Sequence, residues 1–166
     1  MIDLDALDWQ LLTLMQTDAA LSNQALAERV HVSAATALRR VKRLREAGLI
    51  NAQVALLNED AVAKVQGHDL TAIAEVVLDR QGAEYLDAFE HRAIQDAAVQ
   101  QCYRVTPGPD FVLIIRVPDM PAYQQLAQRL FTQDANVRNV KAFFSVRRAK
   151  FDTRVPLAPQ AETGRR

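Results

Sequence analysis

A single cysteine, Cys102, is the whole thiol complement of the 166-residue chain, so no internal disulfide can form. A chain that does without disulfides suits a reducing compartment. No apolar run approaches the roughly 18 residues needed to cross a bilayer. The acidic start from Met1 to Asp8 is unlike a signal peptide. A cytoplasmic location with no membrane partner is expected. Charge of one sign is also lacking: 20 Lys and Arg against 20 Asp and Glu leave a formal net charge of zero. Any affinity for nucleic acid must therefore come from a local patch. P-loop, dinucleotide-binding glycine motif and nucleophile elbow are all missing. His31, His68 and His91 are scattered over a turn, a linker and an exposed helix face, with no metal-ligand spacing near Cys102. No catalytic residue, metal or cofactor is expected, and the chain is not read as an enzyme.

With 49% apolar and 24% charged residues the chain can bury the core of one or two small domains. Its charge is unevenly placed. Asp3, Asp5, Asp8 and Asp18 sit in the first helical region, whereas Arg39, Arg40, Lys42, Arg43 and Arg45 crowd one segment. Leu4, Leu7, Leu11, Leu14 and Met15 recur at helical spacing. Trp9 and Leu12 lie off that stripe, as peripheral core or as contacts to a second subunit. Ser22 can cap a second helix carrying Ala25, Leu26 and Val30 on one face, and Ser33 a third. The third helix turns Ala37, Leu38, Val41 and Leu44 toward a core. Thr36, Arg39, Arg40 and Arg43, three, four and seven residues apart, share the opposite face. Ala34 and Ala35 are small enough to let the helix entry approach the floor of a major groove. Gly48 ends the helix. Ser22 to Ile50 thus reads as a helix-turn-helix, with a solvated basic helix in some other bundle as the plainer alternative.

Ile50, Ala52, Val54 and Leu56 alternate as in a strand, either a wing or a connector. Asn58 to Asp69 is polar and reads as a linker. From Leu70 the pattern becomes β-α-β-β-α-β: strands over Leu70 to Leu78, Val99 to Thr106, Phe111 to Val117 and Val140 to Val146, and helices marked by Leu86, Phe89 and Ala93 and by Tyr123, Leu126, Ala127 and Leu130. This is the ferredoxin-like order, with two helices on one face of an antiparallel sheet. The other face, with Ile73, Val77 and Phe143 among polar neighbours, suits burial against a twin. The fold class is α+β, an N-terminal three-helix winged helix-turn-helix followed by a ferredoxin-like βαββαβ domain. The expected boundaries are 1–57 for the first, 58–69 for the linker, 70–151 for the second, and 152–166 for a disordered tail.

The runs S-N-x-x-L-A-x-R-V from Ser22 and V-S-x-x-T-x-L-R-R-V-x-R-L-x-E-A-G-L-I from Val32 resemble the Lrp/AsnC (feast/famine) transcription regulators, and the likeness extends over about Leu4 to Lys150. The resemblance implies a sequence-specific DNA-binding regulator. Its second half would be a RAM (regulation of amino-acid metabolism) domain, pairing sheet to sheet into homodimers that assemble to tetramers or octamers. Double-stranded DNA bearing a roughly palindromic operator is the expected partner, with half-sites about one helical turn or a multiple apart. Thr36, Arg39 and Arg40 are read at base edges or adjoining phosphates, and Ser33, Lys42 and Arg43 on the backbone.

The family binds an amino-acid effector at a hairpin loop close to V-T-G-x-x-D, between subunits. The chain has Val105-Thr106-Pro107-Gly108-Pro109-Asp110, so Thr106, Gly108 and Asp110 are the effector-binding candidates. The glycine is displaced by one place and flanked by prolines, which lack an amide donor. Ala142 stands where many members carry threonine or serine. A rigid corner with Asp110 making a turn hydrogen bond is the alternative. Sirohaem decarboxylases are similar in both domains and supply the enzymatic alternative.

Overall fold

The computed structural model describes residues 2–67 and 69–157. The chain divides into two compact units, one from the described residues of Met1–Leu56 and Lys150–Arg166, the other Leu57–Ala149. In the first unit, α1 (Ala6–Thr17), α2 (Asn23–Arg29) and α3 (Ala34–Glu46) surround a core of Leu11, Met15, Leu26, Ala27, Val30, Ala37, Val41 and Leu44. Leu4, Leu7, Leu12 and Leu14 pack at its margin.

The second unit is a four-stranded antiparallel sheet of order β2-β3-β1-β4, from β1 (Leu70–Leu78), β2 (Val99–Arg104), β3 (Phe111–Val117) and β4 (Val137–Phe144). Between the strands run α5 (Ala83–Gln95) and α6 (Met120–Ala127), the latter prolonged by a π-helical turn, Gln128–Thr132. Strand alternation decides the core: Ala72, Ala74, Val76 and Leu78 of β1 and Phe111, Leu113, Ile115 and Val117 of β3 are buried together with Phe89, Ala93, Leu126 and Leu130. The intervening residues form the open face. Ile73 pairs across to Ile114 on one side and Phe143 on the other, and stays 38% exposed.

Three stretches differ from the sequence reading. Residues 50–57 form no strand, and Val54, Leu56 and Leu57 are exposed; a period of two cannot make a strand without a partner edge to hydrogen-bond. Asn58 to Gln66, read as linker, is helical: α4 (Glu59–Gln66) is capped by the Asn58 side chain, which accepts from Ala61 N at 3.0 Å, and ends at Gly67 with φ 81°. Ion pairs hold it to its own unit, Glu59 meeting Arg116 at 2.8 Å and Arg148 at 2.7 Å. Lastly, Val155 lies in the segment expected to be disordered, yet its N–H donates to Gln16 Oε1 at 2.9 Å and its carbonyl accepts from Gln16 Nε2 at 3.1 Å. The remainder of that tail, 158–166, lies outside the described residues, as does His68.

Candidate nucleic-acid interface

The recognition element is built by two caps and a sharp joint. Ser22 Oγ accepts from Ala25 N at 3.1 Å and starts α2. Val32 N then reaches back to Ala27 O at 3.0 Å and His31 N to Glu28 O at 3.4 Å, with His31 left-handed at φ 57°. These two bonds make a Schellman closure in which a histidine takes the place usually given to glycine. Ser33 accepts from Thr36 N at 3.2 Å and lies 2.9 Å from the Thr36 hydroxyl, so both side chains stand at the entry to α3. Gly48, φ 74°, closes α3 in the same manner, with Leu49 N on Leu44 O at 3.0 Å.

Ala37, Val41 and Leu44 fasten α3 to the core. Leu38, read from its spacing as inward, is 52% exposed. At about 100° per residue it falls a quarter-turn from the centre of the buried arc, where no other element covers it.

The basic residues are not equivalent. Asp5 caps α1 and Asp8 completes the capping box, Asp8 N donating to Asp5 Oδ1 at 3.0 Å and Asp5 N to Asp8 Oδ2 at 3.2 Å. Across from them, Arg40 Nη1 donates to Asp5 Oδ2 at 2.6 Å and to Asp8 Oδ1 at 3.1 Å, and Arg43 Nη2 donates to Asp8 Oδ2. Asp8 is fully buried and the Arg40 side chain is 24% exposed. Partial burial pushes the Asp5 carboxyl up, but the hydrogen bond and charge of Arg40 outweigh it and hold it below the usual carboxylate range. Arg40, read at base edges or adjoining phosphates, has its guanidinium turned back onto α1 in this structure. Arg43 remains half exposed while it binds Asp8. Arg39 is exposed and ion-paired to no described residue, and Lys42, 73% exposed, lies 3.7 Å from Glu46. Arg45 donates to Gln53, which donates in turn to Ala19 O at 3.1 Å.

The hairpin loop in the sheet unit is closed by Val105 N on Asp110 O at 3.0 Å and by Asp110 N on Val76 O at 2.9 Å. Asp110 Oδ2 accepts from Leu78 N at 2.7 Å, so this carboxylate ties the loop to the end of β1. Thr106 and Gly108 are exposed, and Gly108 has φ 125°, a conformation side-chain-bearing residues avoid. His31 lies in the joint after α2 and His91 on α5, and no group of three His, Cys, Asp or Glu that could hold a metal occurs among the described residues. Cys102 is half-buried, which pushes its thiol pKa up.

Residues 4–45 match the AsnC-type helix-turn-helix domain, and residues 71–155 the Lrp/AsnC ligand binding domain. The chain belongs to the Lrp/AsnC family. It is 35% identical over 149 residues to the leucine-responsive regulatory protein of Rhizobium meliloti, covering 90% of this chain and 93% of the other. Among solved structures, an AsnC family transcriptional regulator from Agrobacterium tumefaciens superimposes with a TM-score of 0.82 at 27% identity, covering 92% and 97% of the two chains. A Neisseria meningitidis transcriptional regulator in complex with L-methionine gives 0.81 at 27% identity, covering 93% and 97%.

This is the architecture of an Lrp/AsnC transcription regulator, a DNA-binding head followed by a ligand-binding domain, and the regulators it matches disfavour the sirohaem decarboxylase alternative. No described helix is long and apolar enough to cross a membrane. What residue spacing missed in this Lrp/AsnC chain is the acidic side of the interface. Asp5 and Asp8 carry the spacing of a capping box, a signal for the start of α1, but nothing in that spacing announces that their carboxylates receive Arg40 and Arg43.

Proposed function

We propose that this Lrp/AsnC regulator reads duplex DNA with the outward face of α3. Thr36 and Arg39 would meet base edges, with Ser33, Lys42 and the free part of Arg43 on phosphates. Arg40 keeps a positioning role. The exposed guanidinium of Arg39, ion-paired to no described residue, on a helix capped at Ser33 carries the reading. A fixed helix with a free fork donor is what bidentate recognition of guanine requires. Two copies joined through the open sheet face would present two such helices to a roughly palindromic operator, and further association to tetramers or octamers uses the same unit. An amino acid serves as effector at the Thr106-Gly108 loop between subunits, with Asp110 shaping the loop. The ligand-binding match over 71–155 and the L-methionine complex of the Neisseria regulator support that choice. The setting is cytoplasmic, and the protein acts by binding rather than by catalysis.

The test is selection of bound duplexes from a random pool, followed by titration of the chosen duplex with and without each of the twenty amino acids. Recovery of an inverted repeat whose affinity responds to an amino acid is expected. Recovery of no preferred sequence would overturn the reading.

A further inference from the structure

We propose that Asp8 is a positioning residue for DNA recognition: it withholds Arg40, and part of Arg43, from the phosphate backbone. The helix then meets DNA with fewer mobile cations than its sequence carries. The inference rests on the reading of α3 as the DNA-contacting helix.

Asp8 has no exposure, and its carboxylate accepts three hydrogen bonds from described residues: Arg40 Nη1 on Oδ1 at 3.1 Å, Arg43 Nη2 on Oδ2, and Asp5 N on Oδ2 at 3.2 Å. Arg40 is held a second time by Asp5 Oδ2 at 2.6 Å. For either arginine to move to a phosphate, a buried carboxylate would have to give up one of its two counter-charges, which is more costly than releasing an exposed ion pair. DNA therefore competes poorly for Arg40. The consequence is selectivity. Phosphate contacts hold any sequence alike, so arginines kept out of them lower non-specific affinity without touching base readout.

The experiment is Asp8→Asn in the full chain, with affinity for an operator duplex and a random duplex measured across a range of salt. Freed arginines should steepen the plot of log K against log salt by roughly 0.9 per new phosphate contact. The preference for operator over random duplex should shrink. Asp5→Asn, at a more exposed position, should shift both in the same direction by less. Adding Arg40→Gln to Asp8→Asn should take the slope back toward wild type. An unchanged or shallower slope in folded Asp8→Asn would overturn the proposal. Should that variant fail to fold, an unchanged slope in Asp5→Asn would do the same. Arg39→Gln separates the two levels: if it binds like wild type, the reading of α3 fails. If it binds weakly while Asp8→Asn keeps the wild-type slope, only the role of Asp8 fails.

Discussion

Arg40 Nη1 lies 3.1 Å from Oδ1 of Asp8, a carboxylate with no exposure, so the third helix is locked to the first by a charge that water does not reach. Arg40→Ala leaves Asp8 with Arg43 as its one cationic partner among the described residues. The loss of one charged hydrogen bond to a buried acceptor should lower the stability of the unit by about 1–3 kcal/mol, read as the midpoint of urea unfolding. A midpoint equal to that of the wild type would show the pair to be incidental.

Asp96 supplies a pH dependence with a definite sign. Its carboxylate accepts from Arg129 Nε at 2.7 Å and from Ala98 N at 3.0 Å, and the Arg129 hydrogen bond, opposed by burial, holds its pKa below the ordinary value. A depressed carboxylate stabilises the fold fully above its unfolded pKa near 3.9, and that contribution disappears as pH falls through the lower native value. Asp96→Asn should therefore cost about 1 kcal/mol at pH 7, a modest figure because Arg129 is half exposed, and progressively less at acid pH as the native carboxylate protonates. Thermal melts at neutral and acid pH check it.

His31 closes α2 at φ 57°, where a β-branched side chain is strained. His31→Val should destabilise the head by about 1–2 kcal/mol, whereas His31→Gly should be close to neutral, because relief at the left-handed position offsets the added freedom of the unfolded chain. Calorimetric melting of both variants decides between conformation and side-chain chemistry. An equal loss in each would point to the imidazole itself.

Phe143 and Ile73 are cross-strand neighbours on the open sheet face and are 44% and 38% exposed. If two copies join there, Phe143→Asp should leave monomers in sedimentation velocity and weaken operator binding on the order of 100-fold through loss of bivalency. A dimer persisting with full affinity would place the joint elsewhere.

Periodicity made most of the fold legible. The apolar spacing of Leu11, Leu26, Val41 and Leu44 and the strict alternation from Phe111 to Val117 correspond to the buried sides of the two units. Local signals can still mislead where the outcome depends on a distant partner. Ile50 to Leu57 alternates but has no edge to join, while α4 lacks buried residues and so leaves little hydrophobic trace, although Asn58 and Gly67 mark its ends. Thr36, Arg39, Arg40 and Arg43 span more than a quarter of the helix circumference. At the edge of that arc a long arginine can reach back to a neighbouring helix, as Arg40 does toward Asp5 and Asp8. In the loop candidates, Asp110 could be read as a turn residue or a ligand group, and its bond to Leu78 N depends on a strand 32 residues away in sequence.

The most direct measurement is a side-by-side salt titration of Arg39→Gln and Arg40→Gln on one selected operator duplex. Arg39→Gln should weaken binding by about 1–3 kcal/mol, or roughly 5- to 150-fold, while Arg40→Gln keeps the wild-type salt slope. Wild-type affinity in Arg39→Gln, or a slope that drops by about one only in Arg40→Gln, would contradict DNA recognition by the outward face of α3.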